Sequence, residues 1–548
     1  MTLTDEQSIA GDGRVDPATW LGPPRDVLMA RRGMVASAHP FASNTALEVL
    51  RHGGNAVDAA VAAAAVLTVV EPRNGHLGGD TFMQISLAGE RQVAAINGSG
   101  AAPLAATLEH YQDLGGIPAH GLLSSTVPGT VSSWALALER YGTRPLAALL
   151  EPAIDYAAHG IPVTARLARL LALDAPVYRR YPDSARVFVP GGSVPAVGAT
   201  FRQPGLAASL RRIAAHGRDE FYRGSLADDL VRYSATHGGI FSHEDFATHQ
   251  SEEATPLAIS YRAYTVYEQP PVSQGLIVLL ALNILEQFDL AALEPGSAAL
   301  MHLQIEAVKL AFEDRLRYLG DPRCCAAPLD LLLSKEHAQE QAGRIDLRQA
   351  RPPVLPAMIQ PDTTYLCAAD EAGNMVSYIH SLFSGAGVVM GETGVLMNSR
   401  MLGFNLTPGH PNCLAPGKRP IHTLNAYTVY RDGDAVLVGG TPGAHWQVQT
   451  NVQVLVNVLD GGLNVQRAID APRFTIGDQL DVGNATVRVE ARADEQVVTE
   501  LRARGHDVQA IGPWAAGGAV QLISRDPQSG LYSGATEPRQ PGCTTLGF

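Results

Sequence analysis

The sequence is short of charge, of aromatic rings and of cysteine, and each shortage excludes something. Only 17% of its 548 residues are charged, and the balance is acidic: 41 Lys+Arg against 54 Asp+Glu leaves −13. Binding to nucleic acid needs clustered basic residues that neutralise phosphates, so no nucleic-acid partner is expected. The five cysteines, Cys324, Cys325, Cys367, Cys413 and Cys543, form no CxxC pair. That odd, scattered set argues against both a disulfide framework and a structural zinc site, and no metal or other cofactor is expected. Long apolar runs are missing too. The longest, Val61 to Val70, is about half of what crosses a bilayer, so no membrane partner is expected either. The first residues, MTLTDEQSIAGDGR, have neither the basic stretch nor the apolar core of a secretory signal. A soluble, cytoplasmic protein is the expectation. Aromatics make up only 6% of the chain while Ala and Gly are abundant. Small side chains permit close layer packing and a large core.

Several catalytic signatures are absent as well. There is no GxSxG elbow and no phosphate-binding P-loop. His243-Glu244 opens an HExxH that fails at Ala247. Gly75-His76-Leu77-Gly78-Gly79 lacks the strand-to-helix context of a dinucleotide fingerprint.

What is present is a change of period. Residues 1 to about 30 read as a loose leader, followed by a short strand at Met34–Ser37. Ser43 is placed as the cap of a helix through Arg51. A second helix follows Gly53-Gly54-Asn55 through Ala56–Val69, apolar on all sides and therefore buried. Phe82–Leu87 and Gln92–Asn97 read as paired strands. Helical patterns dominate from Trp134 to about Leu347, with a strand-like interruption at Tyr261–Gln269. Ala350–Asp362 carries Pro352, Pro353, Pro356 and Pro361, which exclude regular helix and favour an exposed, extended linker. Alternation then begins, with a hairpin of Thr364–Ala369 and Met375–His380 and further strands at Ala426–Tyr430, Ala435–Val438 and Val487–Glu490.

At that junction stands Pro361-Asp362-Thr363-Thr364-Tyr365. Thr363 opens a central strand directly behind a proline-rich linker. This is the layout for self-cleavage, in which the Thr hydroxyl attacks the carbonyl of Asp362 and frees a Thr amine. An N-terminal Thr is nucleophile and base together, because its own α-amine reaches its own hydroxyl and titrates near neutrality. On spacing alone, a β-branched residue opening a strand is the commoner reading.

Ordered motifs along most of the chain sharpen the choice. They include Gly53-Gly54-Asn55-Ala56-Val57-Asp58-Ala59, Glu71-Pro72, Leu77-Gly78-Gly79, Val127-Pro128-Gly129-Thr130-Val131 and Asp219-Glu220-Phe221-Tyr222. Asp321-Pro322, Thr363-Thr364, Gly394-Val395-Leu396-Met397-Asn398, Lys418-Arg419-Pro420, Pro442-Gly443 and Ala471-Pro472-Arg473-Phe474 follow. In these, the sequence resembles the γ-glutamyltranspeptidase family of N-terminal-nucleophile hydrolases. The resemblance implies an α/β fold, a four-layer αββα sandwich over residues 31–548. It implies a precursor cut between Asp362 and Thr363 into a large chain, 1–362, and a small chain, 363–548, held together as a heterodimer or a dimer of heterodimers. Thr363 would be the nucleophile. Ser381 falls where a second hydroxyl bonds it, and Gly443 and Ala444 fall where backbone N–H groups form the oxyanion hole. The family pattern there is Gly-Gly, so the backbone conformation of Ala444 is the point in question. Asp58 and Glu71 read as buried structural carboxylates.

The departures from the family pattern bear on the substrate. The position of the Arg that holds a γ-glutamyl α-carboxylate is Ser99 here, and that of the Asp that holds the α-amine is Gly403. An Asn beyond the second hydroxyl is Phe383, and a Ser-Ser pair is His422-Thr423. Charge-assisted contacts are strong and discriminate steeply. Their joint loss resembles the amidase and acylase branch, with its oxamate amidohydrolase-like and cephalosporin acylase-like members. Arg400 is a candidate for gripping a substrate carboxylate, and Phe383 for a drier pocket wall. His380, His422 and His445 flank the site as structural histidines. The expected activity is hydrolysis of a small-molecule amide, oxamate-like or an acylated amine, by an acyl-enzyme route. The alternatives are γ-glutamyl transfer or glutathione hydrolysis, and an uncleaved, non-catalytic scaffold.

Overall fold

The computed structural model describes residues 26–352, 362–477 and 485–548. Two seven-stranded antiparallel sheets lie face to face. The first runs in the order Thr544–Gly547, Met34–Ser37, Asp362–Ala369, Met375–Phe383, Asp80–Ser86, Val93–Gly98 and Glu252–Ala254. The second runs Leu28–Ala30, Tyr532–Ala535, Gln521–Arg525, Asp434–Gly440, Tyr427–Arg431, Tyr264–Glu268 and Leu257–Tyr261. Alternation along each strand sends one set of side chains into the space between the sheets. Phe82, Tyr365, Cys367, Met375 and Ile379 of the first sheet meet Tyr430, Val438 and Ile523 of the second there.

Helices cover both outer faces and complete the αββα sandwich. On the first sheet lies the helix Ala56–Val70, with every residue buried. A capping box sets its start: the Asn55 side chain accepts from the N–H groups of Val57 and Asp58, while Asp58 accepts from the Asn55 N–H. Its seven alanines favour helix and leave room for its neighbours. On the second sheet the apolar helix Gly275–Leu285 packs against Ala298–Tyr318 and Trp446–Leu459. Asp58 and Glu71 are buried as expected, Glu71 paired with Arg166.

Three expectations need correction. The leader does not extend to residue 30, because Leu28–Ala30 is an edge strand paired with Tyr532–Ala535. Ser43 does not cap the first helix. Pro40, whose fixed φ suits a first helical position, starts it at His39, and the Ser43 hydroxyl instead donates to the Thr544 carbonyl at 2.7 Å. The third is one of extent only: the strand expected within Tyr261–Gln269 is present as Tyr264–Glu268, paired in a hairpin with Leu257–Tyr261. Residues 353–361 of the proline-rich segment lie outside the described residues. Among the described residues no helix is long and apolar enough to cross a membrane.

Candidate active site

The predicted nucleophile sits at one end of the sandwich, between the two sheets. Thr363 pairs directly with Ser381, and Ser381 pairs with Asp80 on its other side. Residues opposite one another in adjacent strands share a face, so Thr363, Ser381 and Asp80 form a row pointing toward the second sheet. Two strand spacings put Asp80 roughly 10 Å from Thr363. The Thr363 hydroxyl donates to Ser381 Oγ at 3.0 Å, and the Phe383 N–H donates to the same oxygen at 2.7 Å. The first sheet comes close to its neighbours here because of Gly78 and Gly79. A Cβ on Gly79 would stand 2.6 Å from the Ser381 carbonyl oxygen, and one on Gly78 would stand 2.1 Å from that of Leu396. The glycines of Leu77-Gly78-Gly79 thus serve packing at the site, and not a phosphate.

The second sheet contributes the opposite wall. Its strand Asp434–Gly440 runs into Thr441-Pro442-Gly443-Ala444, and the helix Trp446–Leu459 begins at once. Gly443 has φ 134° and Ala444 has φ 48°. Among the described residues, neither N–H donates a hydrogen bond to the protein. Both precede a helix N-terminus, where the macrodipole favours negative charge. Ala444 is in the left-handed region, which costs a residue with a Cβ about 1 kcal/mol. Phe383, at φ 71°, is strained likewise. Ala444→Gly is therefore expected to raise stability by up to about 1 kcal/mol and keep activity, since the N–H remains. Thermal melting and the steady-state rate check this, and a loss of both would show that the methyl group itself supports the corner.

Between these walls lies a cavity of about 410 Å³, lined by Thr363, Gly443, Trp446, Gly517, Arg166 and Arg169 among others. Ala444 is buried behind Gly443. Sequence reasoning missed most of this lining. Gly517-Gly518 carried a legible signal, a glycine pair. Arg166 and Arg169 carried none, because their helix looks like any amphipathic surface helix.

Ser99, Phe383, Arg400, His422 and Thr423 do not line this cavity but lie buried around Asp80. Arg400 Nε stands 3.4 Å from Asp80 and His422 Nε2 stands 3.7 Å from it. The Phe383 ring lies over the Arg400 guanidinium, 4.4 Å from centroid to Cζ. Gly100 N–H donates to Asp80 at 2.9 Å, and Ser99 is tied to Asn97 at 2.6 Å. The Thr423 carbonyl accepts from Gln274 at 2.7 Å. Burial pushes the Asp80 carboxyl up to about 6, with Arg400 opposing, and pulls Arg400 down to about 10, so its charge persists. Burial, then Arg400 and Arg419, hold His422 well below its usual range and neutral. Among the described residues both Nη atoms of Arg400 lack a hydrogen-bond partner, an expensive state for a buried cation. Asp80, the centre of this cluster, was not singled out by sequence.

The other histidines are structural. His380 Nε2 lies 2.8 Å from the His76 carbonyl oxygen, and burial lowers its pKa to about 4. His445 Nδ1 lies 3.2 Å from Gln274 Oε1. His302, Glu306 and His506 are close enough to share an ion, but the atoms that face one another are already hydrogen-bonded within the protein, and among the described residues only His506 Nδ1 of this group lacks a partner. His302 and His506 are hydrogen-bonded at 2.8 Å, and Lys309 donates to Glu306 at 2.8 Å.

Comparison with known proteins gives the family of the chain. The family model described as gamma-glutamyltranspeptidase matches residues 42–546. The chain is 37% identical over 522 residues to the glutathione hydrolase-like YwrD proenzyme of Bacillus subtilis, covering 94% of this chain and 98% of that one. It is 36% identical over 523 residues to the oxamate amidohydrolase proenzyme of Klebsiella pneumoniae, again covering 94% and 98%. The crystal structure of cephalosporin acylase from Bacillus halodurans superposes with a TM-score of 0.90 at 37% identity, covering 100% of this chain and 99% of that one. Near-equal identity to three differently named proteins leaves the choice among substrates to the site.

Proposed function

Because the chain belongs to the gamma-glutamyltranspeptidase family and is thus a hydrolase of non-peptide C–N bonds, we propose that it is a self-processing N-terminal-threonine amide hydrolase. The observation that carries this reading is the Thr363–Ser381 hydrogen bond at 3.0 Å, at the mouth of a cavity whose far wall offers the free Gly443 N–H. In the precursor, Thr363 Oγ1 attacks the carbonyl carbon of Asp362. The peptide C–N bond gives way to an ester that water hydrolyses, leaving Thr363 with a free α-amine. The word proenzyme in the names of two relatives supports such a cut.

In the cleaved protein the Thr363 amine takes the hydroxyl proton as Oγ1 attacks the amide carbonyl. The oxyanion that forms faces the Gly443 and Ala444 N–H groups, an interaction typically worth a few kcal/mol. The same amine returns the proton to the departing nitrogen as the C–N bond breaks. Water then releases the acyl group by the reverse sequence. Ser381 holds the Thr363 hydroxyl in line. Arg400, whose Nη atoms lack partners, is the cation on the Ser381 side of the nucleophile, but it is buried under Phe383 and outside the cavity, so it would meet a substrate carboxylate only if the Phe383 ring moved aside. Ser99 and Gly403 place no charge where a γ-glutamyl group would need it, which favours this reading over γ-glutamyl transfer.

Mass spectrometry tests the proposal. Two fragments, residues 1–362 and 363–548, are expected, with a trapped acyl adduct on Thr363. An uncut chain, or an adduct elsewhere, would sink it. Ser381→Ala should slow both cleavage and turnover by roughly ten- to a hundredfold, since it removes the acceptor of the Thr363 hydroxyl and strands the Phe383 N–H. Ser381→Thr should restore both. Quantifying fragments over time reads the first effect, and steady-state kinetics the second.

A further inference from the structure

A second cavity adjoins the one at Thr363. It measures about 470 Å³ and shares five wall residues with it: Arg73, Asn74, Arg166, Leu170 and Pro541. The shared walls make the two adjacent, and we take them as arms of one cleft. The second arm is apolar, walled by Phe41, Val70, Pro72, Pro162 and Leu167. Its charges are compensated within the protein, Arg166 by Glu71 and Arg73 by Asp174.

The helix Ala165–Tyr178 stands where the arms meet. Arg166, Arg169 and Leu170 lie three and four residues apart and so share one face. Arg169 lines the Thr363 arm, is exposed, and has no carboxylate partner among the described residues. It is the uncompensated cation of that helix face. On the other side of the nucleophile there is little room. Ser381, Asp80 and Arg400 are fully buried, and the Phe383 ring lies on the Arg400 guanidinium. That side suits a small acyl group, so a bulky apolar part of an amide has its space in the second arm.

From this we infer the substrate class: an amide whose amine half carries an apolar body, seated in the second arm, and an anionic group facing Arg169. An N-acylated apolar amino acid is the simplest such molecule. The inference rests on the amide-hydrolase reading above, and it goes further by assigning the leaving group. Attack by Thr363 breaks the C–N bond, the acyl group stays on Oγ1 as an ester, and the amino acid leaves as the free amine with the proton relayed by the Thr363 α-amine.

Binding of the leaving group tests this without any chemistry, because a product amine cannot turn over. The two-chain protein is titrated calorimetrically with phenylalanine, glycine and phenethylamine, which has the aromatic body but no carboxylate. Phenylalanine should bind at least about tenfold more tightly than glycine, from burial of its side chain, and more tightly than phenethylamine. Leu170→Asp should abolish the preference over glycine, and Arg169→Gln the preference over phenethylamine. Phe41→Ser provides a second probe of the apolar arm should Leu170→Asp lose its circular-dichroism signature. Equal binding of phenylalanine and glycine, or a preference that survives both apolar-arm variants, would overturn the inference. The parent reading is separated by a second assay. If phenylalanine binds as expected but neither N-acetyl- nor N-oxalyl-phenylalanine is hydrolysed, the site stands and the amide-hydrolase reading fails.

Discussion

Replacing Thr363 by alanine should leave one band near 58 kDa on a denaturing gel where the native sequence is expected to give two, and no measurable amide hydrolysis. Both losses have one cause. On the proposed mechanism the hydroxyl attacks the Asp362 carbonyl in the precursor and the substrate carbonyl in the mature protein, and no neighbouring group would replace it. The hydroxyl of Ser381 accepts from Thr363 and is tied to the Phe383 N–H, so it is held as an orienting group. The expected loss of turnover is of the order seen when a nucleophile is deleted, about a million-fold. The fold should survive, since the native structure loses a single buried hydrogen bond worth about 1 kcal/mol. Thr363→Ser should still cut, because a primary hydroxyl and an α-amine can do the same chemistry. Two fragments from the alanine variant would refute Thr363 as the agent of cleavage.

The second large effect is on stability. Arg473, Arg539, Glu490 and Glu537 form a buried network beside the cavity. Arg473 meets Glu537 at 2.8 Å, and Arg539 meets Glu490 at 2.7 Å and Glu537 at 3.0 Å. Arg539 also lines the cavity of Thr363. Burial alone would push the Glu537 carboxyl up, but Arg473 and Arg539 outweigh it and hold the group below its ordinary value. Glu537→Gln should therefore cost roughly 3–5 kcal/mol, because it leaves the buried Arg473 guanidinium without its carboxylate and Arg539 on Glu490 alone. The pH dependence has a definite sign. A carboxyl lowered on folding contributes stability that is present above its unfolded value of about 4.3 and is lost as pH falls through the lower folded value. Denaturant titrations at neutral and acid pH check both points. The native protein should lose this contribution in acid while the variant, already without it, changes less. A cost below about 1 kcal/mol at neutral pH would show that the network is not coupled.

Much of the architecture was legible because it rests on local rules. Asn55 with Asp58 announces a capped helix, and the Ala-rich run after it announces burial. The switch to period-two alternation after the prolines announces the central hairpin, which the structure extends only to Asp362–Ala369 and Met375–Phe383. Ser43 misled because a serine is a good cap in isolation, whereas Pro40 upstream already fixes the backbone for a helix start.

By itself, the sequence determined the layered class, the nucleophile candidate at the junction of linker and strand, and the loss of the charged γ-glutamyl anchors. Each of these depends on residues adjacent in the chain or on ordered motifs. Only the tertiary structure decided what surrounds the nucleophile. Asp80 stands in register with Ser381 though they are 301 positions apart. Arg166 and Arg169 line the cavity of Thr363 from a helix that reads as surface. Arg400 turns away from solvent and packs under Phe383. Strand order and helix packing are set by which faces bury together across the whole chain, and no local pattern encodes that pairing.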